Sequence, residues 1–153
     1  MAGLSMGGME THSITLAHLD TFAYIGLFSG GNISTNGDIA TMVRRGTMST
    51  NYSANLDYFK KKVKLVFVSS GSRELASGNG RGGGGRGGFG GGRGGGGGRG
   101  GFGGFGGDPK ASTDGLKAAD INAVFYVSPN TAHEFLSWRR SLYNFAPLLF
   151  QNP

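Results

Sequence analysis

Residues 78 to 107 set the first limit on what this chain can fold into. That stretch of 30 residues holds 22 of the chain's 32 glycines, four arginines (Arg81, Arg86, Arg93, Arg99) and three phenylalanines, and nothing able to build a core. Glycine loses more conformational entropy on ordering than any other residue, so such a tract stays disordered unless a partner orders it. Of 153 residues, about 123 then remain for folding, divided as 1–77 and 108–153 around the tract. One domain with a modest core fits that length; a complete doubly wound α/β enzyme, often ~200–250 residues, does not.

The tract also explains the charge. The chain carries 15 basic and 9 acidic residues, a formal net of +6; removing the four tract arginines leaves 11 against 9. The foldable part is nearly balanced, and the basic signal belongs to one loop. With no cysteine, disulfides and thiolate metal sites are excluded. No apolar run is long enough to span a bilayer, and no signal peptide is apparent.

Along the foldable parts, helical and strand patterns alternate. Met6 to about Ala17 suits a helix. Phe22 to Phe28 is a dense apolar run ending in Ser29-Gly30-Gly31, which reads as a buried strand leading into a turn. Residues 32 to 51, rich in Asn, Ser, Thr and Gly, read as a surface loop. Tyr52 to Lys62 reads as a helix with Leu56 and Phe59 inward and the exposed basic run Lys60-Lys61-Lys62 at its C-terminal end, which suits the helix dipole. Val63 to Ser70 is a second strand. Asp108-Pro109 is a helix start, an N-cap with proline in the first turn, and that helix should run to about Ala119. Ala123 to Val127 is a third strand. The last helix, from about Ala132, carries Phe135, Trp138, Leu142 and Phe145 as an amphipathic stripe that stops at Pro147. Strands alternating with helices predict an α/β fold, a parallel sheet covered on both faces.

Chemistry collects at the carboxyl ends of the strands in such a sheet. Gly3-Leu4-Ser5-Met6-Gly7 has the G-x-S-x-G form of a nucleophile elbow, in which a sharp strand-to-helix turn exposes a serine. Small residues two places either side of the serine are expected because a side chain there would meet the neighbouring strand or helix. Only four residues precede Ser5, so no strand is visible leading into the elbow. Gly26-Leu27-Phe28-Ser29-Gly30 has its serine one place too late, and Ser29 reads as a strand-end turn residue. Glu74 and His133 follow the second and third predicted strands, giving the chain order Ser, acid, His of α/β-hydrolases. A serine hydroxyl needs a base to take its proton as it attacks, and a carboxylate to orient that base. His133 and Glu74 are the candidates, and the backbone N–H of Met6 is one candidate oxyanion donor. His12 and His18 read as solvated residues of the first helix. No cluster argues for a metal. Trp138, Arg139 and Arg140 read as packing and solvating the last helix, with the alternative that Trp138 reaches the cleft.

Three segments, Gly3–Met9 (Gly-Leu-Ser-Met-Gly-Gly-Met), Leu19–Gly31 (Leu-Asp-Thr-Phe-Ala-Tyr-Ile-Gly-Leu-Phe-Ser-Gly-Gly) and Ser128–Phe150 with its Ser-Pro-Asn-Thr-Ala-His-Glu-Phe, resemble the C-terminal half of bacterial α/β-hydrolase esterases. The relatives are feruloyl and acetyl-xylan esterases and enterochelin-esterase-like proteins. The resemblance implies a serine carboxylic-ester hydrolase with Ser5 as nucleophile, His133 as base and no cofactor. It implies esters linked to carbohydrate, of plant-polysaccharide origin, and a secreted or periplasmic setting. It places the acid where relatives carry Gly-Thr-Glu-Asp; here Gly71-Ser72-Arg73-Glu74 puts Glu74 at the acidic position. It also implies a truncated form lacking the N-terminal strands of the sheet, with an open sheet edge suited to self-association. Two other readings stand beside it, a non-catalytic remnant or interaction module and a nucleic-acid binder. Arg86-Gly-Gly-Phe89 and Arg99-Gly-Gly-Phe102 are RGG-box units that could bind single strands by charge and stacking. Four arginines give few phosphate contacts, which favours an expanded surface loop, and loop expansion costs little because closure entropy grows only logarithmically.

Overall fold

The computed structural model describes residues 1–40, 52–79 and 108–151. Most of the glycine tract, with Arg81, Arg86, Arg93 and Arg99, lies outside the described residues. Four strands, β1 (Ala2–Leu4), β2 (Tyr24–Phe28), β3 (Leu65–Gly71) and β4 (Ala123–Ser128), form one sheet in the order β1-β2-β3-β4. Every neighbouring pair is parallel, with Leu4 opposite Phe28, Phe28 opposite Ser69 and Gly71 opposite Ser128. Helices α1 (Met6–Ala17), α2 (Tyr52–Lys62), α3 (Ser72–Asn79), α4 (Pro109–Ala118) and α5 (Phe135–Phe145) complete the frame. The fold is α/β.

The strands read as unbroken apolar runs because the sheet is covered on both sides. All seven residues of β3 are buried, and its alternate side chains feed two cores. Val66 and Val68 join Ile25, Leu27, Phe59 and Leu116 on the face covered by α1, α2 and α4. Leu65 and Phe67 join Phe28 and Phe145 on the face covered by α5, where Trp138 packs alongside. The Phe28, Phe67 and Phe145 rings meet at centroid distances of 5.3 to 5.8 Å, in the range aromatic pairs favour.

Several sequence expectations are corrected. The four residues before Ser5 suffice for a short strand, since parallel pairing with β2 supplies what local propensity does not. Residues 32–40 are more than a surface loop. Ile33 and Ile39 are fully buried in the first core, and Thr35–Ile39 forms a π-helical turn capped by Ser34, whose hydroxyl oxygen accepts from the Gly37 and Asp38 N–H groups. The Lys60-Lys61-Lys62 run is partly tied down, with Lys60 reaching Asp120 at 3.5 Å and Lys62 reaching Asp20 at 2.5 Å. Helix α5 starts at Phe135, and of its expected amphipathic stripe Trp138 and Phe145 face the second core while Phe135 and Leu142 do not. Ser137, Ser141 and Phe145 are buried, whereas Phe135 is 70% and Leu142 54% exposed. Small serines let this helix lie close against the sheet, so size selected the inner face where hydrophobicity alone pointed elsewhere.

The expectation for α4 holds in detail. Asp108 caps it by accepting the Lys110 N–H at 2.9 Å, with Pro109 in the first turn. No helix among the described residues is long and apolar enough to cross a membrane.

Candidate active site

At the carboxyl edge of the sheet, the turns that leave β1, β2 and β3 continue its ladder. The Ser5 N–H donates to Phe28 O, the Ser29 N–H to Ser69 O, both at 2.8 Å, and the Arg73 N–H to Thr131 O at 2.8 Å. Each turn is thereby tied to the neighbouring strand or, for Arg73, to the turn after β4. Ser5 sits at φ 52°, ψ −123°, a backbone conformation that costs a non-glycine residue of order 1–3 kcal/mol. The strain is sustained because the Ser5 carbonyl accepts from Gly8 at 2.9 Å while its N–H is held by β2.

The glycines around the turn divide into two kinds. A Cβ on Gly3 would lie 2.0 Å from the Gly7 carbonyl oxygen, and one on Gly30 would lie 2.1 Å from that of Ser5. A Cβ on Gly8 would lie 2.8 Å from the Gly30 Cα, whereas one on Gly7 would meet nothing within 4 Å. The expectation of symmetric crowding is thus corrected. Space is needed at Gly3 and where α1 crosses the end of β2, and the second glycine of the pentapeptide is sterically free.

The structure brings Ser5, His133 and Glu74 into one hydrogen-bonded chain. Ser5 Oγ lies 2.8 Å from His133 Nε2, and His133 Nδ1 lies 2.9 Å from Glu74 Oε1. Imidazole between hydroxyl and carboxylate is an arrangement able to move a proton off the hydroxyl. His133 sits in the turn between β4 and α5. That turn is shaped by Asn130 at φ 57°, by the Thr131 hydroxyl donating to Ser128 O at 3.0 Å and by the Ala132 N–H donating to Glu134 Oε1 at 3.0 Å. The Trp138 ring stands edge-on to the imidazole, with centroids 5.2 Å apart and planes at 88°. Glu74 lies in the first turn of α3 rather than in an open loop. Its Oε2 accepts from the Ser29 hydroxyl at 2.8 Å and the Gly71 N–H at 3.1 Å. Met6 opens α1, where N–H groups have no partner within the helix.

Sequence reasoning missed two participants. Ser29 touches Glu74, and the signal for it lay in register: Leu4 opposite Phe28 makes Ser5 and Ser29 equivalent positions on adjacent strands. His12 is not simply solvated, for its Nε2 lies 3.0 Å from Asp38 Oδ1. His18 is exposed at the end of α1, as expected. Met6, Met9, His12, Gly30 and Asp38 line a groove of about 460 Å³ beside the elbow. Partial burial pushes the Asp38 carboxyl up, but the hydrogen bond from His12, the N–H and hydroxyl of Ser34 and the His12 charge outweigh it and hold the group at about 2. A carboxyl depressed in the folded state adds stability above its ordinary value near 4 and loses it as pH falls toward 2. Asp38→Asn should therefore destabilise the chain at pH 6 and converge with the wild type near pH 2, as read from urea midpoints across that range.

Among the described residues no group of three or more His, Asp or Glu side chains could hold a metal. No family model matches the chain. An endo-1,4-beta-xylanase/feruloyl esterase of Xylanibacter ruminicola is 34% identical over 151 residues, covering 99% of this chain and 14% of that relative. A solved structure described as FAE superposes with a TM-score of 0.58 at 19% identity, covering 98% of this chain and 44% of the other. This chain thus spans about one-seventh of the first relative's length. Its fold is α/β, and over nearly all its length the chain is similar in sequence to one segment of a much longer endo-1,4-beta-xylanase/feruloyl esterase.

Proposed function

We propose that the chain carries the catalytic residues of a serine carboxylic-ester hydrolase. The observation that carries the reading is the Ser5–His133–Glu74 chain of contacts at 2.8 and 2.9 Å, with its serine on a strained strand-to-helix turn. Ser5 Oγ attacks the ester carbonyl carbon while its proton passes to His133 Nε2. Glu74 accepts from His133 Nδ1–H and stabilises the imidazolium. The Met6 N–H donates to the oxygen that gains charge. The carbon–oxygen bond to the alcohol then breaks, and His133 returns its proton to the departing alcohol. Water, deprotonated by His133, attacks the acyl-serine, releases the acid and restores Ser5.

The name of the Xylanibacter ruminicola relative, an endo-1,4-beta-xylanase/feruloyl esterase, supports feruloyl esters, of the kind linked to carbohydrate, as the substrate class. In this reading residues 1–77 and 108–153 act as one catalytic unit, and 78–107 is an insertion between them. The test uses the full chain with p-nitrophenyl acetate, methyl ferulate and a fluorophosphonate probe. Hydrolysis and covalent labelling should both occur, the label should map to Ser5, and both should vanish in Ser5→Ala. Hydrolysis that persists in Ser5→Ala, or a label on another residue, refutes the assignment.

A further inference from the structure

Building on that esterase reading, we infer that Ser29 is a positioning residue: its hydroxyl holds the Glu74 carboxylate so that the other oxygen stays on His133. Ser5 and Ser29 are neighbours in register, each one residue past the end of its strand. They share nearly the same positive φ, 52° and 51°, and each donates its N–H to the neighbouring strand. Two hydroxyls are thus presented side by side along one edge, and their partners divide their work. The Ser5 hydroxyl meets His133 Nε2, while the Ser29 hydroxyl donates to Glu74 Oε2.

The carboxylate explains why a second hydroxyl is needed. Glutamate has one more rotatable bond than aspartate, so its carboxylate sweeps a wider arc from the backbone. Here that arc is closed by two donors on one oxygen, the Ser29 hydroxyl at 2.8 Å and the Gly71 N–H at 3.1 Å. With Oε2 occupied, Oε1 is left to face Nδ1 at 2.9 Å. Charge-assisted hydrogen bonds of this kind are stronger than neutral ones, so losing one leaves the carboxylate free to tilt. The Glu74 side chain is 24% exposed, enough for water to replace the lost partner without holding the same direction.

Ser29→Gly isolates the hydroxyl, because glycine adopts φ 51° without strain. In the full chain it should lower kcat for p-nitrophenyl acetate about tenfold, leave KM within about twofold and spare most of the thermal stability, the pattern of a misplaced catalytic group. Added to Glu74→Gln it should cost little more, since the two act as one unit. Proton NMR supplies an activity-independent readout, the downfield Nδ1–H signal of His133. It should be sharp in the wild type, lost in Glu74→Gln and broadened in Ser29→Gly. An unchanged kcat, an additive double variant or an unaltered His133 signal would overturn the proposal. If the wild type hydrolyses no ester, the esterase reading fails and the NMR signal alone decides; a wild type without that signal also overturns it. Ser29→Ala serves as the second variant should Ser29→Gly fail to fold, and failure of both would make Ser29 a folding residue and sink the idea.

Discussion

Glu74→Gln is expected to lower kcat for a p-nitrophenyl ester by about 10³–10⁴-fold while leaving the melting temperature close to that of the wild type. Two donors are already aimed at Oε2, the Ser29 hydroxyl and the Gly71 N–H. Both need an acceptor, so the glutamine carbonyl oxygen takes that place. The glutamine NH2 then faces His133 Nδ1 across the gap of 2.9 Å now bridged by Oε1. A donor at that point forces Nδ1 to become the acceptor, which moves the imidazole proton to Nε2. Nε2 is the atom 2.8 Å from Ser5 Oγ, and once protonated it cannot take the serine's proton. The shape of the site survives and the base does not. Steady-state kinetics with a parallel thermal melt checks this, and a Glu74→Gln variant with near-normal kcat would remove Glu74 from the mechanism.

The second large effect concerns folding. Gly30→Ala is expected to destabilise the chain by about 2–4 kcal/mol, in the range of overpacking a site with no room to relax. The added Cβ would stand 2.1 Å from the Ser5 carbonyl oxygen and 2.8 Å from the Gly8 Cα, and both obstacles are backbone. No rotamer change relieves such a clash, so either the strained Ser5 turn or the crossing of α1 over β2 must move. Because native stabilities amount to roughly 5–15 kcal/mol, a loss of this size is a large share of the whole. Gly7→Ala is the control, since its Cβ would enter open space on the first turn of α1. It should be neutral or stabilising by up to about 1 kcal/mol through helix propensity and a less flexible unfolded chain. Denaturant midpoints of the two variants measure the contrast, and equal losses would show that the crowding is not local to Gly30.

What was legible in the sequence had a local physical basis. Continuous apolar runs bounded by Ser and Gly marked β2, β3 and β4, because strands buried on both faces need no polar alternation. The spans Met6–Ala17 and Tyr52–Lys62 were readable from helical periodicity and terminal charge, and Asp108-Pro109 from capping chemistry. The chain order of Ser5, Glu74 and His133 was also legible, because Glu74 and His133 each follow a predicted strand, and the family resemblance agreed with that placement.

What escaped depends on residues distant in sequence. Strand β1 exists because three residues pair with β2, a signal too short for any local pattern. The inner face of α5 was chosen by the fit of Ser137 and Ser141 against the sheet, which periodicity of hydrophobicity misjudged. Ser29 meets Glu74 across 45 residues, His12 meets Asp38 across 26, and Ser5 meets His133 across 128. By itself, then, the sequence determined an alternating α/β chain and the residue types able to run acyl-transfer chemistry. The parallel register decided which of two strand-end serines faces the histidine and which faces the carboxylate. A shift of one residue along a strand turns every side chain to the opposite face, so that choice exists only once the strands are paired.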